Sequence, residues 1–164
     1  KNSIFGLSEA GISENEIKAI IFDWGRTLHD PETDTLFSGV LETVQNLSKN
    51  YSLALVSLDK SDSPEKRRKK IEESGVAEYF KFILVDEDNK NAMYEKVLTD
   101  LKVTPKEVVI VDDRIVRGVA WGNYKGAVTV WLRKGKFAEE LPSQETGDPT
   151  FTINDITELN NLLR

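Results

Sequence analysis

The sequence contains no cysteine and a single histidine, His29, among its 164 residues. The lack of cysteine excludes disulfides, thiolate metal sites and a cysteine nucleophile. One histidine cannot build a multi-histidine metal site. Any divalent metal would therefore be a hard cation held by oxygen atoms, and Mg²⁺ is the first expectation.

Long apolar runs are also missing. No run approaches the ~18 residues of a membrane span, and the amino terminus lacks the apolar core of a signal peptide. The net charge of −6 argues against nucleic acid or an anionic membrane as the main partner. With 39% apolar and 30% charged residues, the chain is expected to form one globular domain over residues 1–164, located in the cytoplasm.

Short apolar segments alternate with helical patterns. Strands are predicted at 17–23, 52–57, 80–85, 107–111 and 127–132. Helices are predicted at 40–49, 64–74, 91–101, 114–121 and 155–163. Residues 24–36 predict a loop or small hairpin, and residues 142–149 a polar loop. This alternation is typical of βαβ units and predicts an α/β fold, a Rossmann-like three-layer sandwich with a parallel sheet.

Polar side chains that suit phosphoryl transfer lie at the edges of these elements, namely Asp23, Ser57, Lys90, Asp112 and Asp113. A carboxylate can attack phosphorus, and a metal can bridge carboxylates and phosphate oxygens. A hydroxyl and a lysine can hold the remaining oxygens. If the ends of the first, second and fourth strands share one ligand, those strands are neighbours. This predicts a five-stranded sheet in the order 5-4-1-2-3.

These segments resemble the four motifs of the haloacid dehalogenase-like (HAD) superfamily. Residues 20–28 (IIFDWGRTL) resemble motif I, hhhh-D-x-D-x-T, and residues 53–57 (LALVS) resemble motif II. Lys90 resembles the lysine of motif III, and residues 108–113 (VVIVDD) an acidic motif IV. The resemblance implies that Asp23 is the nucleophile, with Thr27, Ser57 and Lys90 as phosphate-binding groups. It also implies that Mg²⁺ is held by Asp23, the backbone carbonyl of Gly25, Asp112 and Asp113.

The chain departs from the family pattern at position 25, where the second aspartate of motif I, the general acid/base, is replaced by Gly25. Motif III also departs, because Lys90 is followed by Asn91 rather than the common proline, and Lys60 is a rival for the phosphate-binding role. Arg117 stands where many relatives carry a further acidic residue.

The intervals between the motifs are short. Asp23 and Ser57 are separated by 33 residues, and Ser57 and Lys90 by 32. Each interval holds one helix and one strand, which leaves no room for an inserted cap domain. The chain thus resembles the capless subgroup, whose open sites suit bulky or macromolecular phosphorylated substrates or are closed by a neighbouring subunit in a homo-oligomer.

The resemblance implies a HAD-like hydrolase, a Mg²⁺-dependent phosphatase that works through an aspartyl-phosphate and is weakened by Gly25. The substrate is a phosphorylated small molecule or macromolecule. The alternative is a domain without turnover that accepts phosphate or binds a phosphorylated ligand as a switch or interaction module. A third reading is a degenerate structural domain without turnover.

Two further features have a simpler interpretation. The basic run 66–70 (KRRKK) lies among glutamates at helical spacing, so we interpret it as a solvated helix face. His29 follows motif I closely enough to contact a substrate, but the loop position predicts an exposed side chain.

Overall fold

The computed structural model describes residues 6–13, 16–60 and 63–163, so both ends of the predicted domain 1–164 lie outside the described residues. In chain order its strands and helices are β1 (Ala19–Asp23), β2 (His29–Asp30), β3 (Thr35–Leu36), α1 (Val40–Leu47), β4 (Ser52–Leu58), α2 (Pro64–Glu73), β5 (Phe82–Asp86), α3 (Lys90–Leu101), β6 (Val108–Asp112), α4 (Ala120–Lys125), β7 (Val128–Leu132), β8 (Phe151–Ile153) and α5 (Leu159–Leu162).

Six of the strands form one parallel sheet in the order β5-β4-β1-β6-β7-β8. The predicted α/β class is confirmed, and the predicted neighbours β5, β4, β1, β6 and β7 follow one another as expected. The prediction of five strands is corrected to six. β8 pairs with β7 through three residues, from Val130–Phe151 to Leu132–Ile153. A segment this short shows no measurable hydrophobic period, so the sequence pattern did not reveal it.

Helices cover both faces of the sheet and complete three layers. One face carries a large core in which Val44 of α1, Ile71 of α2 and Leu159 of α5 pack against the sheet. On the other face, Tyr94 of α3 and Trp121, near the start of α4, pack in a second core. Every residue of β1, β6 and β7 is buried, as expected of central parallel strands covered on both sides.

The segments between the sheet strands are compact. β1 and β4 are joined by the antiparallel hairpin β2–β3 and by α1, while α2 and a short 3₁₀ turn lie between β4 and β5. Within the described residues, neither interval holds an inserted domain. None of the described helices has the length and apolar character needed to cross a bilayer.

The helix predicted at 114–121 differs in form. Residues Ile115–Val119 make a π-helical turn, and α4 begins only at Ala120. Side-chain contacts account for the difference, because the backbone N–H groups of Arg114 and Gly118 both donate to the carboxylate of Asp112. The segment after β6 therefore wraps around an acidic side chain before the regular helix starts.

Candidate active site

Three aspartates lie at the carboxyl ends of two adjacent strands. Asp23 is the last residue of β1, Asp112 is the last residue of β6, and Asp113 follows it. Phe22 pairs with Val111, so the two strands end at the same level of the sheet. In parallel α/β sheets this edge is where ligands bind.

The three carboxylates form a buried cluster. One oxygen from each of Asp23, Asp112 and Asp113 lies within 4.8 Å of the others. The three residues expose 8%, 0% and 2% of their surface, respectively. The Oγ1 of Thr27 lies 3.2 Å from Asp23 Oδ2 and 3.2 Å from Asp113 Oδ1. It also accepts a 3.1 Å hydrogen bond from the backbone N–H of Asp113, so Thr27 ties the two strand ends together.

Lys90 supplies the positive charge inside this cluster. It is the first residue of α3, whose start is capped by the Asn89 side chain. Its Nζ donates to Asp23 Oδ1 and to Asp112 Oδ2, both at 2.9 Å, and the residue is only 8% exposed. Lys60, the rival for the phosphate-binding role, is exposed and lines the surrounding cavity.

Asp112 is held by its own downstream segment. Its Oδ1 accepts from the N–H of Arg114 at 3.1 Å, and its Oδ2 accepts from the N–H of Gly118 at 2.7 Å. A Cβ atom at position 118 would lie 2.6 Å from both Asp112 Oδ2 and the Tyr94 hydroxyl. Glycine is therefore required at 118 for Asp112 to point into the cluster.

Burial and mutual repulsion shape the ionisation of the cluster. Burial raises the pKa of Asp23, the Lys90 ammonium opposes this, and Asp112 adds to it. Burial and the charges of Asp23 and Asp112 raise the pKa of Asp113 to about 8. Burial alone would lower the pKa of Lys90, but the carboxylates of Asp112 and Asp23 outweigh it and hold that pKa well above its usual value. Lys90 is therefore an ammonium at neutral pH.

The donor set fits a hard divalent cation. Both oxygens of Asp112 already accept hydrogen bonds, whereas Asp113 Oδ2 is buried and has no hydrogen-bond partner among the described residues. A buried carboxylate oxygen without a partner is unfavourable unless a cation or proton satisfies it. Three converging carboxylates with one unsatisfied oxygen suit Mg²⁺, which prefers oxygen ligands.

Ser57 is placed differently from the other predicted groups. It is buried near the end of β4, and its Oγ accepts a 2.7 Å hydrogen bond from Nη1 of Arg67 on α2. Within the described part of the chain, the residues that line the cavity above the cluster include Arg67 but not Ser57. The structure thus brings Asp23, Thr27 and Lys90 together with the aspartates, and presents Arg67 to the cavity in front of Ser57.

Position 25 is open. A Cβ atom at Gly25 would meet none of the described residues within 4 Å, so Gly25 borders free space in the cavity. His29 was predicted to be exposed, and that prediction is wrong. The residue is 8% exposed because its ring stacks on Trp24, with ring centroids 5.1 Å apart, and its Nε2 lies 2.9 Å from Asp34 Oδ1.

A cavity of about 880 Å³ opens above the cluster. Its floor contains Asp23, Lys90 and Asp113, and its walls include residues of α2 and of the segment after β6. The volume is that of a small-molecule site. The strand ends, the cluster and the cavity together define a single concave site.

Comparison with known proteins shows the family to which the chain belongs. Residues 3–131 match the family model described as haloacid dehalogenase-like hydrolase. The match covers more than half of the chain, which therefore belongs to the haloacid dehalogenase-like hydrolases.

Two curated relatives are both named glyceraldehyde 3-phosphate phosphatase. The protein from Methanopyrus kandleri is 27% identical over 104 residues, which cover 60% of this chain and 45% of the relative. The protein from Pyrococcus furiosus is 27% identical over 131 residues, which cover 76% of this chain and 53% of the relative. The chain thus spans about half the length of the curated relatives it matches.

A solved structure supports the fold. An uncharacterized protein from Listeria monocytogenes serotype 4b superposes with a TM-score of 0.72 at 20% identity, covering 90% of this chain and 98% of that one. At this level of identity the likeness concerns the fold alone.

Some residues of the site were not predicted from the sequence. Arg67 was missed because it lies inside a basic run, and Gly118 because its role depends on a contact with Asp112. The proline at the start of α2 fixes where that helix begins, but which of its residues face the cavity depends on how the helix packs.

Proposed function

We propose that this chain is a Mg²⁺-dependent phosphatase that works through an aspartyl-phosphate on Asp23. The observation that carries the proposal is the buried Asp23 carboxylate, held by Lys90 at 2.9 Å and Thr27 at 3.2 Å beside two further aspartates. The curated relatives named as phosphatases support a phosphorylated substrate.

In the proposed reaction, an oxygen of Asp23 attacks phosphorus and the ester P–O bond breaks, so that the leaving group departs with the bonding electrons. Water then attacks the aspartyl-phosphate, which releases inorganic phosphate and restores Asp23. The Lys90 ammonium opposes the rise that burial causes in the pKa of Asp23, and it offsets charge on the phosphoryl oxygens. Thr27 holds the second oxygen of Asp23 and fixes the direction of attack.

The metal in this proposal is Mg²⁺, held by Asp23, Asp113, Asp112 and the backbone carbonyl of Gly25. When bound, it would neutralise the phosphate and so allow the anionic carboxylate to approach. Asp113 is the strongest ligand of the set, because its Oδ2 has no other partner in the described residues. Asp112 contributes mainly by positioning Lys90, since both of its oxygens already accept hydrogen bonds.

Gly25 favours a second candidate function. Without a carboxylate at this position, no group of the motif protonates the leaving group or activates water. This would lower the rate by a factor of roughly 10²–10⁴. A long-lived aspartyl-phosphate could then act as a switch, or the domain could bind a phosphorylated partner. Burst kinetics followed by slow release would favour the switch, and steady turnover would favour the phosphatase.

The proposal also includes the ligand, the partners and the location of the protein. The ligand is a phosphorylated small molecule or macromolecule, and neither nucleic acid nor a membrane is expected as a partner. The open cavity leaves room for a second copy of the chain to cover it. We propose a cytoplasmic location.

The experiment is a phosphatase assay with p-nitrophenyl phosphate and Mg²⁺. Asp23→Asn should abolish turnover, because an amide cannot form the aspartyl-phosphate. Asp86→Asn is the matched control, since Asp86 also ends a strand of the sheet but does not line the cavity. Metal-dependent turnover that survives in a folded Asp23→Asn protein would falsify the nucleophile assignment.

A further inference from the structure

The cavity above the cluster has a charge opposite to that of the whole protein. Among the residues that the structure describes, nine lysines and arginines and five aspartates line it, a net charge of +4. The remaining 13 basic and 23 acidic residues of the sequence carry a net charge of −10. Clefts lined by one sign of charge concentrate ligands of the opposite sign. The cavity therefore attracts anions far more strongly than the rest of the surface does.

Much of this positive charge comes from the basic run of α2. Lys66 and Lys70 are exposed, as expected for a solvated helix face, and together with the half-buried Arg67 they line the cavity. Residues three and four positions apart on a helix share a face, which explains why Lys66 and Lys70 both line the cavity. Arg67 is the deepest of the three, with a side chain 22% exposed that bonds Ser57 and lies 3.6 Å from Asp59.

The opposite wall is also basic. Arg114 and Arg117 line the cavity just after Asp113. Arg114 is fixed by an ion pair of 3.0 Å with Glu140, and its guanidinium lies 3.7 Å from the centre of the Phe137 ring. The basic groups therefore come from two walls that face one space.

The charge exceeds what one phosphate requires. Within the cluster, Lys90 and a divalent cation would balance the three aspartates. Outside the cluster, eight basic residues and two aspartates line the cavity. These two, Asp34 and Asp59, lie beside Lys70 at 2.9 Å and Arg67 at 3.6 Å. Among the described lining residues, six positive charges remain in excess, and one of them, Arg114, is paired with Glu140 outside the lining.

We propose that the substrate is a small organic bisphosphate, and that its second phosphate binds the basic wall formed by Lys66, Arg67 and Lys70. This inference rests on the proposed phosphatase function. The site has the volume of a small-molecule pocket, about 880 Å³. The net charge of −10 over the rest of the chain repels an extended polyanion such as nucleic acid, so a compact ligand fits better.

The test uses butane-1,4-bisphosphonate and butylphosphonate, which share a carbon chain and resist hydrolysis. Their dissociation constants are measured by calorimetry with Mg²⁺ present. The native protein should bind the bisphosphonate at least tenfold more tightly. Lys66→Glu should reduce this preference at least fivefold. Lys69→Glu should keep it, because Lys69 lies on the same helix with the same charge but does not line the cavity.

Neither variant endangers the fold, since both residues are exposed on α2, and circular dichroism would verify this. The second-phosphate site is overturned if the native protein binds the two phosphonates with a ratio of dissociation constants near one. It is also overturned if Lys66→Glu and Lys69→Glu reduce that ratio equally. If Asp23-dependent turnover of p-nitrophenyl phosphate persists in that case, the phosphatase function stands without it. If the preference is present but turnover is absent, the site stands and the phosphatase function fails. Tight binding of a single-stranded oligonucleotide without a bisphosphonate preference would also overturn the proposal.

Discussion

Restoring a carboxylate at position 25 is the most direct test of the chemistry. In the part of the chain that the structure describes, no atom lies within 4 Å of a Cβ at Gly25, so Gly25→Asp needs no rearrangement of these residues. Gly25 is also absent from the glycines with positive φ, so an aspartate is not strained there. The new side chain would extend into the cavity that contains Asp23.

The expected gain depends on the leaving group. General acid–base catalysis contributes roughly 10²–10⁴ in rate, equal to about 3–5 kcal/mol of barrier. An alkyl phosphate needs a proton on its departing oxygen, whereas nitrophenolate departs almost without one. Gly25→Asp should therefore raise turnover of alkyl phosphates far more than that of p-nitrophenyl phosphate. Hydrolysis of the aspartyl-phosphate should quicken for both, since the same carboxylate would activate water.

The assay is steady-state kinetics on a hexyl phosphate and on p-nitrophenyl phosphate at saturating Mg²⁺. Gly25→Ala is the matched control, because it adds the Cβ atom without the carboxylate. If Gly25→Asp leaves alkyl phosphate turnover unchanged or lower while the protein remains folded, position 25 takes no part in the chemistry. The assignment of motif I to residues 20–28 would then need to be redrawn.

Four further predictions concern the cluster. Asp113→Ala should abolish Mg²⁺ binding in calorimetry, and unchanged binding would remove the proposed metal site. Because the pKa of Asp113 rises from 3.8 to about 8 on folding, the metal-free protein binds an extra proton when folded, and its free energy of unfolding should fall as pH rises from about 4 to about 8. In urea titrations of Asp113→Asn, the free energy of unfolding should not show this part of its decrease with rising pH. Gly118→Ala should lower the free energy of unfolding by about 1–3 kcal/mol, because the added methyl group overlaps Asp112 and Tyr94. Lys90→Met should lower it by about 3–5 kcal/mol, because buried carboxylates are left unpaired. Denaturant unfolding measures both changes.

The sheet could be predicted because its central strands are unambiguous. β1 and β6 are short, wholly apolar runs that end in aspartate. The order of the five predicted strands followed from the need to bring three strand ends to one ligand, and the sheet confirms that order. β8 could not be predicted, because its three residues pair with β7 only through tertiary contact. The π-helical turn after β6 likewise depends on Asp112 accepting backbone N–H groups.

The meeting of the three aspartates was predictable from the strands that precede them, whereas Ser57, also near the end of a strand, does not line the cavity. Asp23, Asp112 and Asp113 occupy the expected edge, and Lys90 reaches them from the start of α3. Residues that act from a helix face were not predictable. The run 66–70 carries both cavity-facing and outward-facing cations, and composition cannot separate Lys66 from Lys69 without the position of α2.

The residue at position 25 also determines how many charges the buried cluster holds. Three carboxylates already share one buried cluster with Lys90 as the cation within hydrogen-bonding distance, and burial with mutual repulsion raises the pKa of Asp113 to about 8. A fourth carboxylate at position 25 would add repulsion in the same low-dielectric region. The cluster would then depend more strongly on a divalent cation to stay ionised. A glycine at position 25 thus limits the number of like charges in the site, and the gain from Gly25→Asp should become apparent only when Mg²⁺ is saturating.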